Sequence, residues 1–129
     1  MAFLSRDEAK KRFFPWAPAG MLAFGILFFS LLPYKLKADL QPDHFDKVLH
    51  FAAYGSLAFL SAWGIKSSGV IPSFKNTAFA LILIIGYGIL IELFQSFVPG
   101  RETCLYDALF NSGGAAAGLY FGRLVLWRK

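Results

Sequence analysis

Asp46, His50 and Tyr54 recur every four residues, a spacing that puts all three on one face of a helix. Glu92 and Gln95 share a face of a second segment, and Asp107 and Asn111 share a face of a third. Pro99, Gly100 and Arg101 form the turn between those two. Histidine and carboxylates brought together supply both an acid and a base, so His50 and Glu92 are the candidate catalytic pair. Asp46, Lys47, Tyr54, Gln95, Arg101, Asp107 and Asn111 are the candidate ligand-binding residues. Arg101 and Lys47 are suited to phosphate or carboxylate. His50, Glu92 and Asp107 also form a conceivable cation set. That is the weakest of these readings, because no paired-histidine motif is present, and neither a metal nor a cofactor is expected.

Each residue has a structural role to set against the chemical one. Asp46 and Asp107 suit helix N-caps. His50 and Glu92 are also fit to be a pair that fixes helix register.

The segments that must position these residues are apolar. Of 129 residues, 57% are hydrophobic and 16% charged, too little charge for the surface of a soluble domain this small. A membrane-crossing helix takes about 20 apolar residues, and four such stretches fit, at about 13–32, 46–65, 77–98 and 105–127. The expected fold is all-α: a four-helix transmembrane bundle forming one domain over residues 1–129. In lipid, each helix satisfies its own backbone. Lys10, Lys11 and Arg12 before Phe13 resemble the start of a secretory signal, but no small-x-small cleavage site follows, so the first span is expected to stay as an anchor. The net charge of +5 is spread along the ends of apolar stretches, which argues for membrane flanks and against nucleic acid. The lone Cys104 excludes an internal disulfide.

Lys and Arg set the orientation. Nine fall on the side of the two termini and the loop from Lys66 to Asn76, and four on the other. The excess predicts cytoplasmic termini. His50, Glu92 and Asn111 then lie at a similar depth, roughly 6 to 9 Å beneath the outer interface at 1.5 Å per residue. A carboxylate at that depth faces the bundle interior and finds a partner. Gly114, Gly118 and Gly122 repeat every four residues and predict close helix packing, with Gly86 and Gly88 of the third span as the expected receiving surface. Trp16, Trp63 and Trp127 are expected as interfacial anchors, and Lys35, Lys37, Lys66 and Lys75 as solvated charges.

The set Asp46-Lys47-x-x-His50-Phe51-x-x-Tyr54, Glu92-x-x-Gln95, Pro99-Gly100-Arg101, Asp107, Asn111 and Gly113-Gly114 resembles the VanZ-like membrane protein family in order and spacing. The resemblance covers roughly residues 45–122. Where many relatives are expected to carry a small hydroxyl residue, this chain has Cys104 and Leu105. The resemblance implies a small helical protein of the bacterial plasma membrane. The family is named for a protein that raises resistance to the glycopeptide teicoplanin. It thus implies an envelope role in which the polar pocket binds or modifies a lipid head group, a cell-wall precursor or a glycopeptide, with membrane lipids around it. It does not establish an enzymatic activity. The alternatives are a small proton- or ion-linked transporter, disfavoured by the apolar run from Ala78 to Ile85, and a structural assembly partner.

Overall fold

The protein, seen in a computed structural model, is described over residues 5–32, 45–71, 73–100 and 105–128, with Arg6 given by its backbone alone. Among the described residues there are helices and turns and no strand. Cys104, Arg101, His44, Lys35 and Lys37 lie outside them.

The first helix, α1 (Arg6–Phe13), opens with a reciprocal cap. The Ser5 hydroxyl accepts the Glu8 N–H at 3.3 Å, and the Glu8 carboxylate accepts the Ser5 N–H at 2.9 Å. Pro15 has no N–H to continue that ladder, and the chain passes through a 3-10 turn, Phe14–Trp16, into α2 (Ala17–Ser30). The sequence places the first apolar span at 13–32. The structure extends the helical path back through the basic arm, because the cap at Ser5 starts a helix there.

The helix α3 (Asp46–Ser67) and the helix α5 (Leu105–Leu126) match their expected spans closely. The helix α4 (Phe74–Gln95) starts three residues before the expected Thr77. Ser73 caps it, its hydroxyl accepting the Asn76 N–H at 3.1 Å. It stops three residues short of Val98 in a turn that closes on Gly100, whose φ of +79° only glycine adopts readily.

Three helical stretches are long and apolar enough to cross a membrane: Asp7–Ser30, Asp46–Ser67 and Phe74–Gln95. The protein is therefore a membrane protein. At 22 residues α5 is as long as α3, but with Asp107, Asn111, Arg123 and its glycines it is not among these three stretches. Large apolar side chains such as Phe24, Phe28, Ile82, Leu93 and Phe121 point outward, between 55% and 69% exposed. Such a surface is a liability in water and the normal one in lipid.

The glycine stripe decides the tightest packing. A Cβ on Gly114 would overlap the Phe51 carbonyl, and one on Gly118 the Gly55 carbonyl. One on Gly122 would lie 2.9 Å from the Ala62 Cβ. The stripe thus packs on α3, not on α4 as the sequence reading expects. Gly86 has nothing within 4 Å, and Gly88 instead admits the Tyr54 ring. The pairs 51 with 114 and 55 with 118 advance together, so α3 and α5 run parallel and begin at the same end.

At that end α2 and α4 finish, tied by the Gln95 amide donating to the Ser30 carbonyl at 3.0 Å. At the opposite end the Trp16 indole donates to the Ser68 hydroxyl at 3.2 Å, and the Lys66 ammonium donates to the Leu126 carbonyl. Lys66 is therefore more than a solvated charge: the end of α5 presents unsatisfied carbonyls that attract a cation. Successive long helices alternate in direction, with a core of Tyr54, Leu57, Ala58, Ile84, Ile91, Ala115 and Leu119 between them.

Candidate functional site

The site lies where α3 and α5 begin and α4 ends. Asp46 is the first residue of α3, and Phe45 rather than Asp46 stands at the N-cap, with no side-chain hydrogen bond there. Asp107 is likewise inside the first turn of α5, not ahead of it. The capping role expected of Asp46 is thus not the one it fills. Its carboxylate stands at the positive end of the helix dipole and faces His50, one turn on. Asp46 Oδ1 lies 3.7 Å from His50 Nε2.

His50 reaches across to α5. Its Nδ1 is 2.9 Å from the amide oxygen of Asn111, a residue 2% exposed. This contact is possible because α3 and α5 approach to backbone distance within the next two turns, at Gly114 and Gly118. Asp107, one turn above Asn111, turns inward to the same place. One ligand atom from each of Asp46, His50 and Asp107 lies within 4.8 Å of the others. These are not the three residues of the cation set His50, Glu92 and Asp107 read from the sequence: Asp46 stands in the cluster and Glu92 does not.

The helix α4 brings its polar face to the same end. Gly88, Ile91, Glu92 and Gln95 are all buried, so Glu92 faces protein and not acyl chains. A Cβ on Gly88 would stand 3.1 Å from the Tyr54 ring and 3.5 Å from the Asn111 Cβ, so α3, α4 and α5 meet at that point. Tyr54, one turn below His50, is 1% exposed, and its ring lies 6.3 Å from that of Tyr87, centre to centre.

Among the described residues, three buried polar atoms here have no hydrogen-bond partner: the Tyr54 hydroxyl, Asp107 Oδ1 and the Asn111 Nδ2. Native proteins satisfy nearly all such groups, and each exception calls for an explanation. Below this layer the buried positions turn apolar. Ser61 is the exception, and its hydroxyl donates to the Leu57 carbonyl within its own helix at 2.8 Å.

Of the candidate residues, the structure brings together Asp46, His50, Asp107 and Asn111, and buries Tyr54, Glu92 and Gln95 around them. Lys47 is exposed, a quarter-turn or so from the face of Asp46 and His50. Arg101 lies outside the described residues. Gln95 has a structural task, since its amide nitrogen holds the end of α2. Sequence reasoning passed over Tyr87, whose hydroxyl donates to the Ala23 carbonyl at 2.5 Å and ties α4 to α2. A tyrosine inside the most apolar span was the available signal, because its hydroxyl must find a partner in lipid. It also passed over Gly55, the small residue of α3 that faces Gly118.

No curated protein and no solved structure matches the chain. The family model described as VanZ/LLP1 matches residues 7–126. That match takes in all the long helices and every candidate residue, and on it the chain belongs to the VanZ/LLP1 family.

Proposed function

We propose that this chain is a multi-pass protein of the bacterial cell membrane whose outward-facing polar site binds or modifies the head group of an envelope lipid, a cell-wall precursor or a glycopeptide such as teicoplanin. The observation that carries this reading is the layer of buried polar side chains delivered by separate helices to one end of the bundle, with His50 bonded to Asn111 at 2.9 Å. A purely structural layer would close on itself. This one leaves buried donors and acceptors that an incoming polar group would satisfy. The apolar interior beneath it argues against a path through the bundle. The family link to glycopeptide resistance suggests the ligand class.

The orientation belongs to the same proposal. In it, α5 is a fourth span lying level with α3, and both termini are cytoplasmic, as the Lys and Arg bias suggests. A green fluorescent protein fused after Lys129 should then fluoresce, and an alkaline phosphatase fused there should be inactive. The reverse pattern would put the polar layer on the cytoplasmic side and remove an envelope ligand.

The function itself is tested in a glycopeptide-susceptible bacterium. Expression of the chain should raise tolerance of teicoplanin. His50→Ala and Glu92→Gln variants at matched membrane levels should lose most of that gain. Full tolerance with both substitutions would defeat the reading.

A further inference from the structure

Asp107 is 9% exposed, and one of its carboxylate oxygens is buried with no hydrogen-bond partner among the described residues. Holding such a group dry is unfavourable unless something comes to it. Two groups on α3 face it. One ligand atom each from Asp46, His50 and Asp107 falls within a 4.8 Å span.

The tautomer of His50 matters here. With the Asn111 amide oxygen 2.9 Å away, Nδ1 carries the ring proton. Nε2 then presents its lone pair toward Asp46 Oδ1, 3.7 Å distant. In the neutral ring both atoms carry lone pairs, and a cation between them draws on both. A histidine whose far nitrogen is pinned by an amide or carboxylate oxygen is the arrangement that orients imidazoles for metals.

We infer that Asp46, His50 and Asp107 bind a divalent first-row cation, of the Mn2+ or Zn2+ type, through His50 Nε2 and one oxygen of each carboxylate. Asn111 positions the ring. One imidazole and two carboxylates suit these ions better than softer ones. Bond lengths of about 2.0–2.2 Å put the ligand atoms of a tetrahedral site roughly 3.3 Å apart. The present separations, up to 4.8 Å, therefore draw in when the ion enters. Asp46, with a third of its side chain exposed at the start of α3, stands at the open side of the set. Three protein ligands leave at least one position open for water or for an oxygen of a bound anion. The inference stands apart from the envelope reading, since the ion is held with or without an amphiphile.

The experiment uses the full chain in detergent micelles, first stripped of metal. Titration with MnCl2 should give one bound equivalent. Pulsed electron paramagnetic resonance of that ion should show modulation from one directly coordinated imidazole nitrogen. His50→Ala should abolish the modulation, and His44→Ala should leave it. ZnCl2 should compete for the same site. Asp107→Asn should weaken binding at least tenfold, and Asn111→Leu should weaken it by about 10- to 100-fold, as removal of an orienting partner does elsewhere. Absence of stoichiometric binding by the unmodified chain would overturn the inference, and so would bound Mn2+ without nitrogen modulation. Neither readout requires that a variant fold. Teicoplanin tolerance plays no part in either, so the two proposals fail separately.

Discussion

Gly118→Leu should separate α3 from α5 and abolish the folded bundle, with the largest stability loss of any single substitution on that face. The position has no slack. Even a Cβ there would overlap the Gly55 carbonyl, and a backbone group cannot rotate away as a side chain can. Overpacking a yielding site costs about 1–3 kcal/mol, and this unyielding one should lose about 3 kcal/mol or more on the same scale. The comparison that gives the test its edge is Gly86→Leu. Gly86 has nothing within 4 Å of its missing Cβ. It lies on an exposed face, where substitutions usually change stability by no more than about 0.5 kcal/mol. Thermal unfolding in detergent should lower the melting temperature sharply for Gly118→Leu and leave it nearly fixed for Gly86→Leu. Similar melting of the two would mean that the stripe is not a packing surface. Loss of this contact should also cost the site its shape, because His50 and Asn111 come from the two helices that the glycines hold together.

That coupling shows where the sequence was informative and where it was not. The span of each long helix was legible because its apolar stretch ends in strong local signals, such as Gly69 after α3 and Pro99-Gly100 after α4. The polar faces were legible from spacing alone, since residues four apart on a helix share a face. What spacing cannot give is the neighbour. The stripe of Gly114, Gly118 and Gly122 fixes which side of α5 is smooth, yet both α3 and α4 carry glycines to meet it. Tertiary packing chose Gly55 and left Gly86 toward lipid. Asp46 failed as a cap for a related reason. Cap preference is a local statement, while the position of Asp46 is set by the register in which His50 meets Asn111. Lys66 was read as solvated because its partner, the Leu126 carbonyl, belongs to a helix sixty residues away.

The buried hydroxyl of Tyr54 should separate stability from function more cleanly than any charged residue. Tyr54 is 1% exposed, and its hydroxyl has no hydrogen-bond partner among the described residues. Leaving a buried polar group unsatisfied costs about 1–3 kcal/mol, so Tyr54→Phe should stabilise the protein by about 1 kcal/mol on that scale. Tyr54→Ala should do the opposite. The ring fills the space against Gly88 and Tyr87, and deleting a buried aromatic costs about 3–5 kcal/mol. If the hydroxyl waits for a ligand in the polar layer, Tyr54→Phe should melt higher while supporting less teicoplanin tolerance than the unmodified chain. Function lost together with stability gained is what a site held short of its optimum for the sake of a ligand produces. A Tyr54→Phe protein that melts lower would show the hydroxyl bonded within the fold. One that melts higher with tolerance intact would take Tyr54 out of the site. In that case the polar layer contracts to Asp46, His50, Asp107 and Asn111, the groups nearest the bundle end.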